Sequence, residues 1–345
     1  MGRSFLALGT LLLSSGLVAS RGIDWANTKH VIAFGDSYTY AHGLHGRYKY
    51  SFIGDYLPGN FSFTPEELLE NFIWQNYTAQ SAGGPNWIQH LTNCAVEDGQ
   101  HYPVECIGPG QKQLWDFAFA GANTAESILP LHHPFTVPLV NQTQQYLTWA
   151  DPVLRRKTCL DPSKALIAVW IGINDINDGH NLNLTSRQLY ADNIAATLKA
   201  SADLYDAGYH NFLFLNLPPL DRNPANRLRD RPRPNATEIG WWDEELRTQS
   251  AAFEAERDDA RALIFDANTL LHGVLDDPAP HGITNITNFC SGRDQWPAVI
   301  ENPAQFGCPV PVAEYFWFDS GHIGTRAHKA LADGIEKALA AETRD

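Results

Sequence analysis

Five short runs of apolar, β-branched or aromatic residues recur at wide intervals. They are H-V-I-A-F ending at Phe34, D-F-A-F-A ending at Ala120, A-L-I-A-V-W-I ending at Ile171, F-L-F-L-N-L ending at Leu217 and A-L-I-F-D ending at Asp266. Each has strand length and almost no polar alternation, the pattern of strands buried on both faces. Helical periodicity fills the intervals, most clearly from Ser186 to Asp206 and from Trp241 to Arg261, where apolar positions sit among charges at helical spacing. Strands alternating with helices predict a three-layer α/β/α sandwich around a central, mainly parallel five-stranded sheet. No repeat or low-complexity linker divides the chain, so residues 21–345 read as one domain. The segment from Tyr50 to His90 predicts long loops over one end of the sheet. Arg227 to Pro234, R-L-R-D-R-P-R-P, reads as an exposed loop, with an anion or polysaccharide contact as its functional alternative.

The first twenty residues depart from this pattern. Arg3 is followed by an apolar stretch that ends in the small residues Ala19 and Ser20. This reads as a cleavable secretory signal over residues 1–20, too short for a membrane anchor. No later stretch is apolar enough to span a bilayer, so a soluble, extracellular protein is expected. Six N-x-S/T sequons, at Asn60, Asn76, Asn141, Asn183, Asn235 and Asn285, agree with that route and predict surface N-glycans. The five cysteines are Cys94, Cys106, Cys159, Cys290 and Cys308. In an oxidising compartment, proximity along the chain favours Cys94–Cys106 and Cys290–Cys308 and leaves Cys159 unpaired. No C-x-x-C spacing or Cys/His cluster suggests zinc, and no cofactor or metal is expected. The His42/His45 and His132/His133 groupings lack supporting carboxylates in a ligand pattern.

Composition narrows the function classes. Of 345 residues, 44% are hydrophobic and 19% charged, as in a chain with a packed core. The formal net charge of -14 disfavours broad attraction to nucleic acid or anionic lipid. Four motifs then carry candidate chemistry. F-G-D-S-Y-T (Phe34 to Thr39) follows the first strand directly, which exposes Ser37 at a strand-to-helix turn; its alternative role is a helix cap. D-F-A-F-A-G ends at Gly121, whose N–H no side chain screens. W-I-G-I-N-D-I-N-D (Trp170 to Asp178) offers the Asn174 amide after the third strand, or an Asx turn. F-W-F-D-S-G-H-I-G (Phe316 to Gly324) sets Asp319 three residues from His322, so that the carboxylate can orient the imidazole. A serine hydroxyl needs such an oriented base to become a nucleophile.

The ordered set G-D-S, Gly121, G-I-N-D and D-x-x-H resembles the SGNH (GDSL-type) hydrolase family in all four of its blocks. No G-x-S-x-G elbow is present, which disfavours the ordinary α/β-hydrolases. The resemblance implies a flavodoxin-like sheet and a triad of Ser37, His322 and Asp319. It also implies an oxyanion hole made by the Ser37 N–H, the Gly121 N–H and the Asn174 amide. The phrase S-A-G-G-P-N-W-I (Ser81 to Ile88) and N-L-P-P-L (Asn216 to Leu220) resemble longer eukaryotic members. Tyr40 and Ile323 depart from the plant lipase-like pattern. With the secreted, acidic, glycosylated character, the chain is most similar to fungal acetylesterases of carbohydrate esterase family sixteen. That resemblance implies removal of acetyl groups from xylo-oligosaccharides and related plant cell-wall carbohydrates, with Trp87 stacking on a sugar face or, alternatively, supporting a loop from the core. Two other readings stand beside it. One is a lipase or phospholipase with the same triad; the other is a non-catalytic carbohydrate-binding protein on a hydrolase scaffold.

Overall fold

The computed structural model describes residues 22–55, 61–73, 81–96 and 112–342. The leader at 1–20, the sequons at Asn60 and Asn76, and Cys106 lie outside the described residues. Five strands form a single sheet: β1 (His30–Gly35), β2 (Gln113–Asp116), β3 (Leu166–Trp170), β4 (Asn211–Leu215) and β5 (Arg261–Phe265). The order is β2-β1-β3-β4-β5 and every pairing is parallel. Strands β1 and β3 are buried along their whole length, which is why their sequences carry no polar alternation. Eleven α-helices accompany the sheet among the described residues. They are α1 (Pro65–Glu70), α2 (Trp87–Thr92), α3 (Leu139–Gln145), α4 (Asp151–Lys157), α5 (Ile173–Asn181), α6 (Arg187–Asp206), α7 (Pro224–Arg227), α8 (Ala236–Ala255), α9 (Ala267–Asp276), α10 (Ala298–Glu301) and α11 (Thr325–Glu342). Helices α2, α9 and α11 pack together as one flanking group and α3, α6 and α8 as another, giving the three-layer architecture expected. None of the helices described is long and apolar enough to cross a membrane.

Local chemistry sets the element ends. Ser186 caps α6 by accepting from the Leu189 N–H. Helix α8 begins at Ala236 rather than Trp241, because Asn235 and Glu238 form a reciprocal capping box there, and it stops at Ala255, ahead of the turn into β5. The second strand is also displaced. The sequence places it at D-F-A-F-A, whereas the regular ladder covers Gln113–Asp116 and only scattered bonds continue beyond it, from Phe117 N to Ala33 O (2.8 Å) and from Phe119 N to Gly35 O (3.0 Å). The ladder ends where the Asp116 carboxylate turns back to accept the N–H groups of Ala41 and Ala118, at 2.8 and 2.9 Å.

The cysteine expectation needs correction. Cys290 and Cys308 are bridged, but Cys94 is a free, buried thiol, and Cys159 is disulfide-bonded to a partner outside the described residues. Proximity along the chain misleads here because Cys94, two residues past the end of helix α2, has its side chain turned into the core. Its Sγ lies 3.4 Å from the Lys112 carbonyl oxygen and 3.7 Å from that of Thr92. Iodoacetamide applied without reductant should therefore modify Cys94 only after denaturation and leave Cys159, Cys290 and Cys308 unlabelled. Peptide mass mapping reads this directly, and labelled Cys159 would overturn the pairing.

Candidate active site

In a 2-1-3-4-5 sheet the chain leaves β1 and β3 towards opposite sides, which opens a crevice at their carboxyl ends. Both segments that flank this crevice carry candidate residues. Strand β1 ends at Gly35 with φ +155°, and a Cβ there would stand 2.3 Å from the Trp170 carbonyl oxygen of β3. Only glycine fits at this position. Beyond the regular ladder, the Gln142 side chain holds Gly35 in place. Its Oε1 accepts from Gly35 N–H (3.0 Å) and its Nε2 donates to Gly35 O (2.8 Å). Ser37 follows two residues later, half-buried at the mouth of the crevice.

The turn carrying Ser37 is fixed from beneath. Thr39 and Tyr40 donate backbone N–H groups to the Asp36 carbonyl, both at 3.0 Å. The buried amide of Asn86, which also caps α2, donates to the carbonyls of Thr39 (2.6 Å) and Tyr40 (2.9 Å). Trp87 donates its ring N–H to Thr39 Oγ1 at 3.1 Å and meets Trp170 edge-on. It is wholly buried. The expectation that Trp87 stacks on a sugar is therefore corrected: its faces are covered, and it supports the serine turn from inside the core.

Asp319 and His322 arrive from the far end of the chain on a tight loop. An isolated bridge pairs Trp317 with Ile323, and Phe318 N–H donates to His322 O at 2.8 Å. Within the loop, Asp319 Oδ1 accepts from the N–H groups of Gly321 and His322, both at 2.8 Å. Asp319 Oδ2 lies 2.8 Å from His322 Nδ1, and His322 Nε2 lies 2.7 Å from Ser37 Oγ. With the proton on Nδ1, facing the carboxylate, Nε2 is left to accept from the serine hydroxyl. The ring of Tyr38 lies against His322, centroids 5.3 Å apart, and its hydroxyl donates to Gly321 O. Burial alone would raise the Asp319 pKa, but the charge and hydrogen bond of His322 and the two loop N–H groups overcome this and hold it at about 2. For His322 burial favours the neutral ring, yet the charge and hydrogen bond of Asp319 raise its pKa above the ordinary value.

Gly121 and Asn174 are brought together opposite this loop. Gly121 has φ +83°, and His132 lies 3.2 Å from where its Cβ would be. Asn174, in the first turn of α5, donates Nδ2 to Ala122 O at 3.0 Å; the second amide hydrogen remains for another acceptor. Two more bonds tie the Gly121 loop to α5. Thr124 N–H donates to the buried Asp175 Oδ1 (2.8 Å), and Asn123 Nδ2 donates to Asp178 Oδ2 (3.1 Å), an oxygen that also lies 3.0 Å from His132 Nδ1. No acceptor among the described residues takes the N–H of Ser37 or Gly121. Hydrogen bonds thus join Ser37, His322 and Asp319 in a row and tie Asn174 to the segment that carries Gly121, while Trp87 lies in the core. Gln142 and Asn86 escaped the sequence reading, because their partners are backbone groups far along the chain. Gly83 and Gly84 of G-G-P-N-W are the one hint of a close approach around Asn86.

A parallel sheet with a hydrogen-bonded serine, imidazole and carboxylate at its crevice defines the general class as that of acyl-transferring α/β proteins. Residues 31–335 match the family of GDSL-like lipases and acylhydrolases. The chain belongs to that family and is a carboxylic ester hydrolase. An acetylesterase of Thermothelomyces thermophilus is 26% identical over 349 residues, covering 98% of this chain and 98% of that one. A GDSL esterase/lipase of Arabidopsis thaliana is 24% identical over 215 residues, 57% of this chain and 56% of that one. Among solved structures, a carbohydrate acetylesterase from Sinorhizobium meliloti aligns with a TM-score of 0.41 at 13% identity, covering 91% of this chain and 99% of that one. That last likeness is too loose to bear on function.

Two buried carboxyls beneath the site, Asp36 and Asp175, are pushed up to about 7 by desolvation. In the unfolded chain they would titrate near ~3.9. Between about pH 4 and 7 the folded state keeps protons that the unfolded state has released, so each destabilises the fold progressively as pH rises through that window. Buried His30, His90 and His328, whose pKa values are lowered by desolvation, act in the opposite sense, so the informative quantity is a difference between variants. The melting temperature of Asp175→Asn relative to wild type should climb by at least about 4 °C from pH 4 to pH 7 and then level off. A pH-independent difference would count against burial as the cause.

Proposed function

We propose that this chain is a secreted, glycosylated serine esterase that removes acetyl groups from plant cell-wall carbohydrates such as acetylated xylo-oligosaccharides. The observation that carries the chemistry is the chain of contacts Ser37–His322–Asp319, at 2.7 and 2.8 Å, opposite unengaged N–H donors. In this reading Ser37 Oγ attacks the ester carbonyl while its proton passes to His322 Nε2. Asp319 keeps the ring oriented and balances the imidazolium charge. The N–H groups of Ser37 and Gly121 and the second amide hydrogen of Asn174 receive the developing oxyanion. The alcohol departs with the proton from His322. Water, deprotonated by the same imidazole, then releases acetate from Ser37. The full-length likeness to a named acetylesterase supports the choice of acyl group, and the leader and sequons of the sequence support secretion.

Two measurements test the reading. Asn174→Ala should lower kcat on an activated acetate ester by roughly 10²–10³, and Ser37→Ala should abolish acyl-enzyme formation seen by intact mass. Wild-type turnover in either variant would remove that residue from its role. In a series of p-nitrophenyl esters and acetylated xylo-oligosaccharides, kcat/KM should be highest for acetate and fall steeply with chain length. A preference for acyl chains of about eight carbons or more would favour a lipase instead.

A further inference from the structure

The loop from Arg227 to Arg233 stands against the character of the rest of the chain. The whole protein carries a net charge of -14, yet this stretch sets Arg227, Arg229, Arg231 and Arg233 against a single acid, Asp230. All four arginines are exposed. Among the described residues no carboxylate pairs with any of them, and the side-chain bond they make runs from Arg229 Nη1 to the Arg233 carbonyl. Three of them, with Asp230, line an open depression of about 470 Å³. Elsewhere on this surface arginines sit beside acids, as Arg187 does beside Glu244 and Glu245.

The loop is also held in place, and held next to the candidate triad. The buried Asn226 pins it at both ends, accepting from Arg233 N–H (3.0 Å) and donating to Leu220 O (2.6 Å). Ala225 N–H, in α7, donates to Ser320 O at 3.0 Å, and Ser320 stands between Asp319 and His322. From another segment, near the Cys290–Cys308 bridge, Arg293 lies over the ring of Phe318, 5.9 Å from its centroid. Among the described residues its one ion pair is a long one, 3.9 Å to Asp294, and its charge reaches His322. The segment that carries the four arginines is therefore bonded through α7 to the loop bearing His322, and Arg293 lies against the same loop from another side.

We propose that the 227–233 loop and Arg293 form an anion subsite for carboxylates of the substrate, so that the preferred substrates are O-acetylated glycans bearing uronic acids. This rests on the carbohydrate-ester reading above and specifies its substrate class. Planar guanidinium groups match carboxylates in a two-pronged geometry. A positive patch on an acidic protein also draws such a chain to this one region and repels it elsewhere. A membrane surface fits less well. Leu228 is the one strongly exposed apolar residue in the loop, and a lone leucine does not make an inserting face.

The test uses tetragalacturonate, acetylated tetragalacturonate, acetylated xylotetraose and phosphatidylglycerol vesicles. Calorimetry should detect tetragalacturonate binding to the wild-type protein at low salt, weakened about tenfold at 0.5 M salt, where charges are screened within ~4 Å. The combined variant Arg227→Gln, Arg229→Gln, Arg231→Gln and Arg233→Gln should lower the ratio of kcat/KM for the acidic over the neutral glycan about tenfold, through KM; Arg293→Gln should move the same ratio in the same direction. Using a ratio removes any general loss of folded enzyme. Absent tetragalacturonate binding, an unmoved ratio, or binding to vesicles in its place would each overturn the subsite. If neither glycan is hydrolysed while a simple acetate ester is, the carbohydrate-ester reading falls, and direct tetragalacturonate binding still decides the subsite.

Discussion

Strand β1 is paired on both sides, and its last residue has to pass within van der Waals reach of the β3 backbone. That close approach at Gly35, sealed by the two bonds of Gln142, sets where the chain leaves the sheet and therefore where Ser37 stands. The crevice beside it exists because β1 and β3 deliver their loops to opposite sides. Asn174 comes from the β3 side, Gly121 from the continuation of β2, and the base from the far end of the chain. A Cβ at position 35 would disturb all of them together, since the same contact spaces the two strands from which Ser37 and Asn174 start.

The polar groups under the site divide into two kinds. Asn86, Gln142 and Asp116 satisfy backbone groups that the sheet and turns leave open, so they hold geometry. Asp36 and Asp175 are buried carboxyls retained despite desolvation, one next to Ser37 and one fastening the Gly121 loop to α5. The electrostatics of the site thus separates by depth. Charge is kept at the crevice, where Asp319 and His322 are paired and partly exposed. Below it, burial favours the neutral forms.

Four of the five strands were legible because burial on both faces erases polar alternation. The second reads as beginning at Asp116 rather than Gln113, since Q-L-W-D carries two polar side chains that the fold buries, whereas the apolar run following it forms only a partial ladder. The order of short motifs, each of which encodes a local backbone shape, singles out Ser37, Gly121, Asn174, Asp319 and His322, and the structure joins Ser37, His322 and Asp319 by hydrogen bonds. What motifs do not encode is direction in space. Trp87 opens helix α2 and Cys94 follows just after its end, and both are buried, so one offers no face to a sugar and the other no thiol to a partner. Gln142 was invisible for a related reason: its partner lies 107 residues away.

All five strands are complete by Phe265, whereas Asp319 and His322 come more than fifty residues later on a loop that follows the last strand. During synthesis, a chain that has already assembled its whole sheet and presents Ser37 at its crevice still lacks the imidazole. Ser37 has no imidazole beside it until the segment carrying His322 emerges and packs against Tyr38. The five strands therefore precede in the sequence the segment that brings the imidazole to Ser37.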